Sequence, residues 1–278
     1  MIRLTRVRTQ AAIHSAFRGS ERLDQALKLL VDAGEEREFD SGFWKKAKDQ
    51  LRAEASGKCA YCEAPTSLVA HGDVEHFRPK SRYWWLAYCY DNYLFACQLC
   101  NQSFKKDHFP LADDTRRMTA PSLAAGATAA QKREFVRLFA PDPFDPSAGQ
   151  PWGEFEAALK GEGARLLNPY DAEDPEDYFA WEPDTAIKEV FIRPADVAYE
   201  PFCKAAIDYY GLNREELLAE RARTYRKLAV FRAIYESPGT DAAMRNDTRA
   251  MLLEMMDGSS AFAGMCRYFV RKIWGLQL

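Results

Sequence analysis

Between Cys59 and Asn101 the chain carries two Cys-x-x-Cys pairs, Cys59/Cys62 and Cys97/Cys100, with Asp73, Glu75, His76 and Asn92 between them. Each Cys-x-x-Cys turn aims two sulfurs at one point. Two such turns, about 34 residues apart, suit one tetrahedral Zn2+ ion with no open coordination position, a structural site. The other residue types suit hydrolysis. A carboxylate beside an imidazole can divide the work at a second, divalent ion. Glu75 binds the metal, and His76 takes a proton from water, a task fitted to a group whose ordinary pKa is about 6.5. The side-chain carbonyl of Asn101 suits a hard cation such as Mg2+ or Mn2+, although Asn is also a good helix N-cap and both roles can hold at once.

Several neighbours join this list. Lys105 lies four residues after Asn101, on the same face of an expected helix, where it can meet phosphate or stand as a solvated surface lysine. His108 lies two turns on and is a weaker candidate ligand. Arg78 and Lys80 are candidates for substrate phosphate, among basic surroundings that include Lys58, Arg82 and Lys106. Asn92 is expected to tie the loop between strands to the backbone. Trp84 and Trp85 are expected to pack the small core in preference to stacking on bases.

These residues need elements to hold them. The segments Val74–Phe77 and Tyr93–Cys97 read as two short strands, and Asn101–His108 as a short helix, giving a strand–strand–helix unit edged by the cysteines. Alternation on a regular strand puts Asp73 and Glu75 on one side and His76 on the other, so one shared site requires the strand to end, twist or bulge there. Upstream, residues 21–34 and 43–56 read as helices, the first ending in Gly34 and the second stopped by Gly57. Residues 111–152 are rich in loop residues around the amphipathic QKREFVRLF. Residues 165–181 read as turns with aromatic anchors, and 186–193 as a strand. Helices are expected over roughly 195–210, 213–236, 240–256 and 259–274, the longest opened by a capping-box-like pair, Asn213 and Glu216. The fold class is therefore α+β and predominantly helical. Its parts are a helical segment 1–57, a motif-bearing core 58–115, a loop-rich connection 116–193 and a helical domain 194–278.

With 278 residues, 47 % hydrophobic and 28 % charged, the chain has the composition of a soluble globular protein. No apolar run approaches the roughly 20 residues that span a bilayer. The N-terminus has positive charge but no continuous apolar stretch, so a secretion signal is not expected. Seven cysteines with no disulfide framework fit a reducing cytoplasm. Cys89, Cys203 and Cys266 fall outside the paired motif. The net charge of −3 means that any nucleic-acid surface is local or is completed by a partner.

The segment 59–110 resembles HNH endonucleases of the ββα-metal class. That pattern has an acidic residue and His on the first strand, Pro and Ser soon after, Asn before the second strand, and Cys-x-x-Cys leading to Asn or His on the helix. Here these are Glu75 and His76, Pro79 and Ser81, Asn92, then Cys97, Cys100 and Asn101. The resemblance implies that His76 is the general base, that Glu75 and Asn101 hold Mg2+ or a similar ion, and that Asn92 keeps the shape of the site. Asn101 stands where many members have a third His. A wider resemblance covers EHFRPKS, ACQLCN, HFPL, LLNPYD, EDPEDYF and GLNREELLAER. Together these are similar to the HNH subunits of bacterial antiphage defence of the Septu type and its retron-linked relatives. It implies an ATPase partner of the SMC-like or overcoming-lysogenization class and a docking role for the helices after residue 194. Two other readings stand beside it. One is a catalytically silent zinc-stabilised binding or docking module. The other is a stand-alone restriction-type nuclease using Arg221, Arg223, Arg226, Lys227 and Arg232 as a basic helix face.

Overall fold

A computed structural model describes residues 1–31, 35–66, 71–145, 152–171 and 173–278. The chain is α+β and mostly helical, with two small antiparallel sheets. Three short helices come first: α1 (Glu21–Leu27), α2 (Ser41–Lys45) and α3 (Lys48–Glu54). The helix expected over 43–56 is thus broken in two, and that expected over 21–34 ends at Leu27, its last residues 32–34 lying outside the described ones. Asp40 caps α2, its carboxylate accepting from the amides of Gly42 (2.8 Å) and Phe43 (3.3 Å).

Strands β1 (Asp73–His76) and β2 (Tyr93–Ala96) then pair antiparallel, with Asp73 opposite Ala96 and His76 opposite Tyr93. Both are almost wholly buried, β2 with apolar side chains and β1 with Glu75 and His76 beside its one apolar residue, Val74. The first cysteine turn is attached to this ladder, because the amide of Ala60 donates to the carbonyl of Phe95 (2.9 Å). Next comes a π-helix over Leu99–Lys105, with i→i+5 hydrogen bonds in place of the expected α-helix over 101–108. Lys106 ends it at φ 47°.

Helices α4 (Ala129–Arg137) and α5 (Trp152–Gly161) follow, the former opened by a full capping box of Thr128 and Gln131. The second sheet joins β3 (Phe179–Asp184) to β4 (Glu189–Pro194). Strand β3 falls partly where turns were expected. It pairs because β4 offers buried Val190 and Ile192 at alternate positions, matching Phe179 and Trp181.

The C-terminal part consists of α6 (Glu200–Tyr210), α7 (Glu215–Glu236), α8 (Ala242–Met256), α9 (Ala263–Arg267) and a π-helix over Tyr268–Ile273. Helix α6 ends at Gly211, φ 63°. A Cβ there would lie 2.6 Å from the Phe104 ring of the first π-helix, so the two segments meet closely only because residue 211 has no side chain. Asn213 does not cap α7 as expected. Its amide is spent on β4, accepting from the amide of Ile192 (2.9 Å) and donating to its carbonyl (3.0 Å), and Arg214 is the N-cap residue. One hydrophobic core runs through the elements, with Tyr61 of the cysteine region stacked on Tyr210 of α6 at 3.8 Å and 12°. No helix among the described residues is long and apolar enough to cross a membrane.

Candidate metal centre and active site

The sulfurs of Cys59, Cys62, Cys97 and Cys100 lie within 4.8 Å of one another, Cys62 and Cys97 at 4.0 Å. Tetrahedral zinc with Zn–S bonds of about 2.3 Å sets sulfurs about 3.8 Å apart, so the cluster fits that ion. Each turn is shaped by its own backbone. The amide of Glu63 donates to the carbonyl of Cys59 (3.0 Å), and the amide of Cys100 donates to the Cys97 sulfur (3.4 Å). Cys89, Cys203 and Cys266 are each buried outside the cluster, and burial pushes each thiol up to about 12.

Beside the sulfur site opens a cavity of about 430 Å³. Asp73, Glu75, His76, Lys80, Asn101 and Lys106 all line it, with Trp44 and Lys48 from α2 and α3 and Pro79 after β1. The chain therefore brings Glu75, His76 and Asn101 to one space, although they come from adjacent strand positions and a separate helix. Gly72 introduces the strand at φ 61°, where a Cβ would strike the Phe95 ring at 2.4 Å.

The imidazole of His76 is buried between the rings of Trp44 (4.9 Å, 87°) and Tyr93 (5.1 Å, 81°). Its Nε2 is 3.0 Å from the carbonyl of Ala87. A carbonyl only accepts, so Nε2 carries the proton and Nδ1 is the basic nitrogen. Burial drives the pKa of His76 down to about 3, with Lys80 and Lys105 adding to the effect, so the ring is neutral across the physiological range.

Glu75 is buried too, its Oε1 2.5 Å from Nζ of Lys105 and 3.5 Å from the Tyr61 hydroxyl. Burial raises its carboxyl above the ordinary range, and the Lys105 ammonium opposes that shift. Lys105 corrects the sequence expectation. It is not a solvated surface lysine but 0 % exposed, paired with Glu75, and its ammonium also donates to the carbonyl of His76 (3.0 Å). The π-helix is the reason. With i→i+5 bonding, the amide of Lys106 donates to the carbonyl of Asn101 (2.8 Å), so Lys106 takes the place on the cavity side that α-helical spacing assigns to Lys105.

Asn101 does not cap the helix, whose N-cap residue is Gln98. Its Nδ2 donates to Oδ2 of Asp73 (3.1 Å), which also accepts from Gln102 (2.9 Å). Asp73 thus sits at the cavity in contact with Asn101, a place that strand alternation with Glu75 allowed but to which the sequence assigned no role. Asn92 closes the hairpin and the loop after it. It accepts from the amide of Arg78 (2.8 Å) and donates to the carbonyls of Arg78 (3.0 Å) and Leu86 (3.3 Å).

Arg78 does not face this cavity. Its guanidinium pairs with Glu162 (3.2 Å), donates to the carbonyl of Leu159 (2.7 Å) and borders a second cavity on the other side of the loop. Lys80 does line the first cavity, 5.8 Å from the Trp44 ring. His108 is exposed and lies against Tyr209 at 5.0 Å, outside the cavity lining. Trp84 and Trp85 pack on each other, and Trp84 also packs on Phe139. The expected basic face of α7 is dispersed: Arg221 is buried, Arg223 pairs with Glu220 and Arg232 with Glu236. Arg214 sits on the sulfur cluster, a contact the sequence offered no local signal for.

No family model matches the chain. No solved structure matches it. Among curated proteins it is similar to the Septu protein PtuB of Bacillus mycoides (strain KBAB4), with 32 % identity over 142 residues, covering 46 % of each chain. The matched part thus spans about half the length of that relative.

Proposed function

We propose that the protein is a metal-dependent HNH-type endonuclease of the ββα-metal class, acting on nucleic acid within an antiphage defence complex that includes an ATPase partner. The observation that carries the hydrolytic reading is the single cavity that gathers Glu75, His76, Asn101 and Asp73 beside a four-sulfur staple. The similarity to a Septu protein supports the defence setting. The net charge of −3 fits a subunit that shares nucleic-acid binding with a partner.

The oxygens of Glu75, Asn101 and Asp73 suit Mg2+ or Mn2+, hard cations that keep several waters and need few protein ligands. An ion held by these residues would supply electrostatic stabilisation of the charge that develops on the phosphate oxygens. His76 does the proton work. The Ala87 carbonyl holds its Nε2–H, so Nδ1 accepts a proton from the attacking water. A buried imidazole with a pKa of about 3 is a reluctant base by itself. An incoming phosphate brings negative charge into the same space and makes the imidazolium less costly. Lys80 and Lys106, both at the cavity, hold the scissile phosphate. Asn92 keeps the loop that carries Arg78 to Leu86 in register with β1.

The test is His76→Ala, assayed with Mg2+ on single-stranded DNA, duplex DNA and RNA. Loss of a general base costs about 10²- to 10⁴-fold in rate, and that loss is expected while the fold persists. A folded variant that cuts as fast as the parent contradicts the assignment.

A further inference from the structure

Arg214, at the start of α7, has no carboxylate within ion-pair distance among the described residues and lies on the sulfur site. Arg214 spreads its guanidinium over three of the four sulfurs: Nη1 is 3.4 Å from Cys100, and Nη2 is 3.6 Å from Cys62 and 4.0 Å from Cys97. Nη1 also donates to the carbonyl of Gly211 (3.1 Å). Arg221, two turns further along the helix and only 2 % exposed, donates instead from Nη1 to Oδ1 of Asn213 (3.5 Å).

Buried charges persist in proteins when they are compensated. Four thiolates around Zn2+ carry a net charge of −2, and the Arg214 guanidinium offsets part of it. We infer that Arg214 is a positioning residue of the zinc centre, supplying from the C-terminal helices counter-charge to a buried zinc tetrathiolate. The metal centre is then joint property of the cysteine turns and of α7, although about 110 to 150 residues separate them. The glycine at 211 is what lets this turn approach, by sparing the Phe104 ring a clash. The inference stands on the sulfur site and is independent of the hydrolytic reading.

Zinc release from the full, zinc-loaded chain tests it, followed with a chromophoric zinc indicator during a chelator challenge. Partners that surround a metal centre without binding it change affinity by about 10- to 100-fold. Arg214→Met is expected to release zinc at least about tenfold faster, and Arg214→Lys is expected to recover part of the loss. A folded Arg214→Met that releases zinc at the parent rate overturns the proposal. If the variants do not fold, hydrogen exchange in the parent decides. Zinc removal is expected to deprotect amides over 212–221 along with the cysteine turns, and unchanged protection over 212–221 overturns it.

Discussion

The sulfur cluster and the oxygen-lined cavity lie side by side on the same two strands and are built on opposite principles. The cluster is closed. Its four sulfurs lie within 4.8 Å of one another, and its neighbours are backbone amides, a stacked aromatic pair and Arg214. The cavity is open, and its neighbours are the reverse: carboxylates, an amide, a neutral imidazole and lysines that border solvent. Cys100 and Asn101 are consecutive, so the closed site positions the open one covalently. On the proposed reading, the closed site serves stability and the open one serves reaction.

That contrast can be broken from either side. The largest effect is expected at the cluster. Structural zinc contributes about 10–16 kcal/mol to small zinc-folded units, so Cys62→Ser should abolish stoichiometric zinc binding and the cooperative unfolding of the core, read by metal analysis and thermal melting. A variant that keeps its melt and its cavity activity would separate the two sites. Next is the buried pair beneath the cavity. Lys105→Met leaves the Glu75 carboxylate buried without its partner 2.5 Å away. Breaking such a pair costs about 3–5 kcal/mol, measurable by urea unfolding, and Lys105→Met with Glu75→Gln should recover much of it. A lysine that only touched phosphate would leave stability unchanged.

The smallest effect is a slope with pH. His76 has a pKa of about 3 in the fold, against about 6.5 when unfolded. Between those values the unfolded chain takes a proton that the native ring refuses. The contribution of His76 is therefore complete above about pH 6.5 and is lost as pH falls toward 3, by about 1.4 kcal/mol per pH unit. Unfolding in magnesium-free buffer should show that slope in the parent and its absence in His76→Phe. Equal slopes would mean that the ring titrates normally.

The legible parts of the site were those set by short spacing. Cys59/Cys62 and Cys97/Cys100 are local turns, and they meet beside the antiparallel pair of β1 and β2, two segments legible as short strands. The clustering of Glu75, His76 and Asn101 at one space was read from a motif, and strand alternation alone argued against it. The hidden parts depended on one extra residue per turn or on distant partners. Nothing in LCNQSFK announces i→i+5 bonding, and that single change moves Lys105 into the core and Lys106 to the cavity. Arg78 looked like a phosphate ligand until Glu162, far along the chain, took it. Strand β3 was obscured by Pro183 and its acidic ending, because its pairing rests on the alternation of β4. Arg214 could not be found from sequence, since its partners lie more than a hundred residues upstream.

In the proposed function, one ion staples the fold while another, held by Glu75, Asn101 and Asp73, serves hydrolysis at His76. A Mg2+ titration of nucleic-acid cleavage by the zinc-replete chain, with the proposed ATPase partner present and metal content measured at each point, tests it. The expected result is one tightly held zinc per chain throughout, no cleavage without Mg2+ or Mn2+, and saturable cleavage as Mg2+ is added. Full cleavage by the zinc-only protein, or none at any Mg2+ concentration, would contradict it.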